Sequence, residues 1–294
     1  VYIYHANKVF PWRVLRLSDK VWRQGIGVVR LGLAFIISSV LASLAEWVIS
    51  IVILRYASLE EVAFFKMGFS LMITYPGMVF VALEADYYPR LSAVHQNLGD
   101  MTDSVNQQIK VCVMLIAPIL IAFVLLLPVI VPLLYTREFL PIVDMAVCAS
   151  LYMLFRGVTL PLAYLPLVKG DLKIYLIVEF LYNVFFVALV VGGFVSWGLI
   201  GGGIALALTG LLEMLMLLLT YRWRYGILLY REVLLNMLIQ GLLILMTAVL
   251  CLCASGIMKF VFGILFFLFS ALYTFSFLKE NTGLWEKIKG RFKK

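Results

Sequence analysis

The stretch Glu84–Ser92, EADYYPRLS, ends a long apolar run with two acids, two tyrosines, a proline, an arginine and a serine. The run before it, roughly residues 62–85, is long and apolar enough to cross a bilayer as one helix. The two acids would leave the hydrocarbon, the tyrosines would lie among the headgroups, and Pro89 would end the helix. The stretch therefore predicts a point where a membrane-spanning helix meets water.

The composition of the whole chain agrees with a membrane location. Of its 294 residues, 64% are hydrophobic and 14% are charged, and the mean hydropathy is +1.05. Soluble domains carry about 25% charged residues, so this composition is adapted to lipid. The sequence therefore predicts an all-α integral membrane protein. No signal peptide is expected, because no charged segment followed by a cleavage site is visible.

Metal and nucleophile chemistry has little support in the sequence. The four cysteines all lie in apolar runs and are typical of small buried hydrophobic residues, and Cys251 and Cys253 lack a nearby ligand partner. His5 and His95 are the only histidines, which excludes a histidine cluster. We therefore predict no catalytic residue, no metal site and no resident cofactor.

Hydropathy predicts about eight membrane-spanning helices with short connections, so neighbouring spans should be antiparallel. The predicted spans are roughly residues 27–54, 62–85, 109–135, 142–168, 174–194, 197–220, 232–254 and 257–278. We expect four regions: a basic amphipathic segment (1–26), a six-helix transporter lobe (27–220), two additional helices (221–278) and a basic tail (279–294). The longest internal loop, roughly 86–108, would be cytoplasmic.

The distribution of Lys and Arg predicts the orientation. With the first residue in the cytoplasm, nearly all basic residues outside the spans lie inside, and only Arg55, Arg137 and Lys259 lie outside. Both ends of the chain would then be cytoplasmic. The net charge of +8 is thus a topology signal and does not indicate nucleic-acid binding.

Two other features concern the membrane. Residues 13–23 place basic and apolar side chains on different helical faces, so this helix would lie on the inner leaflet or cover cytoplasmic loops. Several spans contain prolines, and glycines cluster near the start of the sixth span, which favours a protein that changes shape. The prolines within spans are Pro76, Pro118, Pro128, Pro132, Pro161 and Pro166.

Charged residues at membrane depth are functional candidates, because they are costly there. Arg156 lies near the middle of the fourth predicted span and must face an acid, a water-filled cavity or an anionic substrate. We expect no acid of this chain at its depth, which favours a cavity. Glu179, Asn183 and Glu213 are further substrate-binding candidates, in cytoplasmic halves of their spans.

Two more membrane charges have a simpler interpretation. Glu46 and Lys66 should lie in the outer third of antiparallel neighbours, where the two side chains could pair with each other. We therefore favour a structural role for both.

Four stretches together resemble the polysaccharide flippase branch of the multidrug/oligosaccharidyl-lipid/polysaccharide exporter superfamily. Pro89–Ser92 resembles a proline-x-leucine-serine element that ends a span in this family, so Pro89, Arg90 and Ser92 are structural or gating candidates. The other stretches are 133–141, an outer turn; 169–173, an inner turn leading to Asn183; and 197–205, a glycine-rich span start. The resemblance covers roughly residues 25–225.

This resemblance implies the second lobe of a MATE-like, two-lobe transporter. About six spans, forming a first lobe, would precede Val1. The implied function is to move a polyprenyl-pyrophosphate-linked saccharide across the bacterial inner membrane for polysaccharides such as the O-antigen of lipopolysaccharide. Its partners would be this lipid-linked saccharide, membrane lipids and the first lobe, and coupling to Na⁺ or H⁺ is left open.

Several alternatives stay open at the level of sequence. A flippase for peptidoglycan lipid precursors would share the fold and the phosphate chemistry. A cation-coupled multidrug exporter of the same superfamily would need an acid-lined cavity, whereas here the most central charge is positive. A membrane glycosyltransferase or polymerase, or a purely structural membrane subunit, represents a different class of protein.

Overall fold

A computed structural model describes residues 19–254 and 256–281, and this part of the chain is built from long α-helices. A single 3₁₀ turn, Arg137–Phe139, joins α3 to α4. Each of the seven helices is long and apolar enough to cross a membrane. The helices are α1 (Asp19–Tyr56), α2 (Leu59–Val94), α3 (Leu98–Leu134), α4 (Ile142–Val168), α5 (Leu172–Tyr225), α6 (Arg231–Cys253) and α7 (Ile257–Asn281).

Helix α5 contains two membrane spans. Its helical dihedral angles are interrupted at Trp197 and Gly198, and Gly198 has a φ of 62°, which glycine adopts without strain. A straight helix of 54 residues would be about 81 Å long. Nevertheless, Arg224 Nη2 lies 2.9 Å from Asp171 Oδ2, so the two ends of α5 meet. The element is a helical hairpin, which gives eight spanning segments and confirms the predicted all-α fold and span number.

Pro89 does not end α2, so that prediction is wrong. The helix continues to Val94, and only residues 95–97 separate it from α3, in place of the expected loop over 86–108. A proline removes one backbone donor, but neighbouring groups can hold the turns that follow. Here Tyr87 donates a hydrogen bond to the Pro161 carbonyl of α4 at 3.0 Å, and Arg90 donates to Gln108 of α3 at 2.6 Å.

Helix α4 is the centre of the described fold. It packs against α2, α3, α5 and α6, and it is the most buried of the spanning helices. Apolar side chains on all its sides, including Met145, Met153 and Leu162, are fully or almost fully buried. Polar side chains in the middle of α4 are therefore close to other helices of this chain.

The last two helices are fastened to α3 by a buried polar network. Gln240 of α6 donates to Thr274 of α7 at 3.2 Å and accepts from Ser270 at 2.7 Å. Thr274 in turn donates to the Met114 carbonyl of α3 at 2.8 Å. Such hydrogen bonds, directed and shielded from water, hold α6 and α7 in a defined position on the other helices.

The basic terminal segments predicted from sequence fall largely outside the described residues. Residues 1–18 and 282–294 are not described, so the predicted amphipathic segment and most of the tail cannot be placed. Helix α1 begins at Asp19 and continues through residue 26 into the first span.

Glycine allows the second half of α5 to approach α4 closely. A Cβ atom placed on Gly203 would lie 2.3 Å from the carbonyl oxygen of Met145 and 3.0 Å from Cβ of Cys148. Neither the backbone carbonyl nor a Cβ atom can move aside easily. Only glycine at this position therefore permits the observed contact between the two helices.

We expect Gly203→Ala to lower the free energy of unfolding by about 1–3 kcal/mol, because the added methyl group separates α4 from α5. Gly192→Ala is the matched control, since a Cβ atom at Gly192 meets nothing within 4 Å. Thermal unfolding in detergent measures both. Equal midpoints for the two variants would contradict the close contact at Gly203.

Candidate functional site

Arg156 lies on α4 where both halves of α5 face it. Tyr152 precedes it by one turn, and Tyr182, Glu179 and Glu213 come from α5; the charges of both acids reach its guanidinium. The expectation that no acid of this chain shares its level is therefore wrong. Arg156 keeps intermediate exposure, and within the described residues no carboxylate oxygen lies within 4.0 Å of it. The Arg156 guanidinium is thus close to two acids without forming a direct ion pair with either.

Two tyrosine hydroxyls meet beside this guanidinium. The hydroxyl oxygens of Tyr152 and Tyr182 are 3.1 Å apart, so one donates a hydrogen bond to the other. Their rings contact Phe69 of α2 and Phe186 of α5, at centroid distances of 6.4 and 5.9 Å. This aromatic wall fixes the hydroxyls in place, where one O–H can be directed at an anion held by the arginine.

Glu179 is held across the interface between α1 and α5. Ser38 of α1 donates to its Oε2 atom at 2.9 Å. Asn183 is buried and donates to the backbone carbonyl of Glu179 at 2.8 Å, within the same helix. One N–H of Asn183 is thus used within α5, whereas Glu179 connects α1 to the Arg156 surroundings.

Glu213 carries the least satisfied polar atom of the site. Its Oε2 atom is buried and has no hydrogen-bond partner among the described residues. Buried oxygens normally have a partner, because loss of hydration without one is costly. The atom therefore indicates a place for a proton, a cation, water or a substrate donor near Arg156.

Glu46 and Lys66 face a second opening, further along the same aromatic wall. They line a cavity of about 360 Å³ together with Phe69 and Phe186. Both side chains are exposed, and their charged atoms are not within 4.0 Å of each other in the described structure. The direct pairing favoured from sequence is thus absent, and both charges remain available to a polar ligand.

The remaining candidates lie at the end of α2. Besides donating to Gln108, Arg90 lies 3.9 Å from Asp86, and its guanidinium is 6.0 Å from the Tyr87 ring. Ser92 contributes its carbonyl, 2.6 Å from Nδ1 of His95. Pro89 borders another cavity, described below. These contacts fasten α2 to its neighbours, and none of the three residues contacts Arg156 in the described structure.

Sequence reasoning missed the two tyrosines. Tyr152 could have been found, because it lies four residues before Arg156 and therefore on the same face of α4. Tyr182 is next to Asn183, but nothing in the sequence indicates which face of α5 meets α4.

No group of three potential metal ligands occurs within the part of the chain that the structure describes.

We expect Arg156 and Glu213 to be energetically coupled, since opposite charges in a low-dielectric site stabilise each other. In a double-mutant cycle with Arg156→Gln and Glu213→Gln, the interaction should be about 1 kcal/mol, measured by thermal unfolding. The control is a second cycle that combines Arg156→Gln with Glu138→Gln, a change at an exposed turn. In this control cycle the effects of the two substitutions on stability should be additive. Additive effects for Arg156 and Glu213 as well would show that the two charges are independent.

Comparisons with known proteins agree with this architecture. A family described as polysaccharide biosynthesis protein matches residues 12–144. No curated protein matches the chain by sequence. The solved structure of the lipid II flippase MurJ in an inward closed conformation is similar, with a TM-score of 0.58 and 14% identity over 94% of this chain. The chain spans 59% of that protein's length. The family match covers less than half of the chain, and the solved structure shows a similar fold; both agree with the resemblance that the sequence motifs carry.

Proposed function

We propose that the chain is one lobe of a flippase that moves a polyprenyl-pyrophosphate-linked saccharide from the inner to the outer leaflet of a bacterial cytoplasmic membrane. The observation that carries this proposal is Arg156, a residue of intermediate exposure whose guanidinium has no carboxylate oxygen within 4.0 Å among the described residues. A guanidinium matches phosphate oxygens with paired hydrogen bonds. The family match and the flippase-like fold support the same cargo.

In this mechanism, Arg156 holds the pyrophosphate and a hydroxyl of Tyr152 or Tyr182 donates to it. The lipid tail stays in the bilayer while the headgroup crosses the cavity between two lobes that rock against each other. A first lobe, preceding the residues of this chain, would supply the opposite wall. The end of α2 and both ends of the chain would face the cytoplasm. The task is transport, and no covalent step is assigned to the protein.

The two acids near Arg156 give this mechanism a source of ion coupling. Without cargo, Glu179 and Glu213 partly balance the arginine charge. An arriving pyrophosphate would be repelled by both carboxylates unless a cation neutralised one of them. Glu213, with its unpartnered oxygen, is the acid that H⁺ or Na⁺ would neutralise.

A peptidoglycan-precursor flippase is the second candidate, and the structural similarity to the lipid II flippase favours it. Both cargoes contain a polyprenyl pyrophosphate, so Arg156 would serve either one. The two functions differ in the saccharide that accumulates on the cytoplasmic side when the protein is lost. Increased sensitivity to cationic drugs without any such intermediate would instead indicate a drug exporter that uses Glu179 and Glu213.

We expect Arg156→Ala in the full-length transporter to reduce export of surface polysaccharide about 100-fold or more, because the anion loses its charged partner. Arg156→Lys should restore part of the activity, since lysine keeps the charge without the paired hydrogen bonds. Export is measured as surface polysaccharide at matched expression. Arg137→Ala, at an exposed turn, is the control and should export normally. Normal export by folded Arg156→Ala would contradict the proposed role.

A further inference from the structure

We propose that a separate pocket at the end of α2 binds the saccharide part of the cargo. This inference rests on the function proposed above. This pocket, called the inner pocket, has a volume of about 540 Å³ and lies between α1, α2 and α4. Its lining from α2 and α4 includes Glu84, Ala85, Tyr88, Pro89 and Tyr164, and apolar residues of α1 close one side. Four of these five residues belong to the stretch Glu84–Ser92 at the end of α2.

The inner pocket is arranged before any ligand arrives. Tyr87 is fully buried, its hydroxyl is bound to the Pro161 carbonyl, and its ring meets the Tyr164 ring edge to face at 5.8 Å. Tyr164 donates its own hydroxyl to Glu84 Oε2 at 3.1 Å. The Tyr164 ring and the Glu84 carboxylate are therefore held together in fixed positions on the wall of the inner pocket, which lowers the cost of binding.

The chemistry of the lining fits a sugar. Saccharides present hydroxyl donors together with apolar C–H faces, so a site for them needs hydrogen-bond acceptors next to aromatic rings. Tyr88 is exposed, and its ring is 5.7 Å from that of Tyr164, which gives the C–H face a surface on which to lie. Glu84 accepts hydrogen bonds from hydroxyl groups, and charged acceptors bind them more strongly than neutral ones.

Pro89 adds a further acceptor at the same place. Because proline has no N–H, the carbonyl four residues earlier, that of Ala85, lacks its usual helical donor. Ala85 lines the inner pocket. The continuation of α2 past Pro89 thus produces a backbone oxygen that a sugar hydroxyl can satisfy, and it gives the unexpected proline a function.

The distance to Arg156 matches a single cargo that occupies both places. Tyr164 follows Arg156 by two turns of α4, roughly 12 Å along the helix axis, and the charge of Arg156 reaches its hydroxyl. A saccharide attached to a pyrophosphate at Arg156 would extend over this distance into the inner pocket. The sugar would then point toward the end of α2 that we expect at the cytoplasm.

The test uses the purified full-length transporter in nanodiscs and two probes measured by isothermal titration. One probe is the phosphate-free glycan released by mild acid from the host's lipid-linked oligosaccharide, and the other is inorganic pyrophosphate. We expect Tyr88→Ala to weaken glycan binding about tenfold, corresponding to ~1.4 kcal/mol, and to leave pyrophosphate binding unchanged. Tyr88→Phe keeps the ring and should bind like the unmodified protein. Glu84→Gln should also weaken glycan binding.

The matched control is Tyr75→Ala, which removes an exposed tyrosine of the same helix that stacks on Phe123 outside the inner pocket. It should bind both probes normally. Unchanged glycan binding by both Tyr88→Ala and Glu84→Gln would overturn the inner-pocket proposal, as would displacement of the glycan by a polyprenol. Unchanged pyrophosphate binding by Arg156→Gln would instead count against the proposed function, so the two failures are distinguishable.

Discussion

A guanidinium in the middle of a membrane helix is stable only where nearby charges, hydroxyls or water offset the hydration it has lost. The surroundings of Arg156 meet this requirement through parts of the chain that are distant in sequence. Tyr152 belongs to the same helix, whereas Tyr182, Glu179 and Glu213 arrive from the α5 hairpin. The hairpin reaches α4 because Gly203 lets their backbones touch. The absence of a side chain at Gly203 thus allows the α5 side chains to offset the charge of Arg156.

The candidate polar side chains at membrane depth lie on α1, α2, α4 and α5. Glu46 and Lys66 face one cavity, whose Phe69 and Phe186 rings continue to the tyrosines beside Arg156. Two turns further along α4, Tyr164 reaches the inner pocket. Successive polar sites separated by aromatic rings suit a headgroup that must exchange water for protein contacts gradually. The helices α6 and α7 stand apart from these sites, fastened to α3.

Hydropathy was sufficient to predict the spans, because the length and apolarity of each helix are encoded locally. The break at Trp197 and Gly198 lies close to the boundary predicted between the fifth and sixth spans. The course of α2 past Pro89 was missed, because the contacts that hold it involve α3 and α4. The proximity of Glu179 and Glu213 to Arg156 was missed for a related reason. Span depth can be estimated from sequence, but the rotation of each helix about its axis depends on packing against its neighbours.

The most direct measurement of the central claim is to delete the full gene and follow radiolabelled lipid-linked oligosaccharides and their leaflet location. We expect a complete intermediate to accumulate on the cytoplasmic side while surface polysaccharide is lost. An undisturbed distribution of these intermediates, with increased sensitivity to cationic drugs, would contradict it. The anion site at Arg156 would then have to be reinterpreted as part of a different transporter.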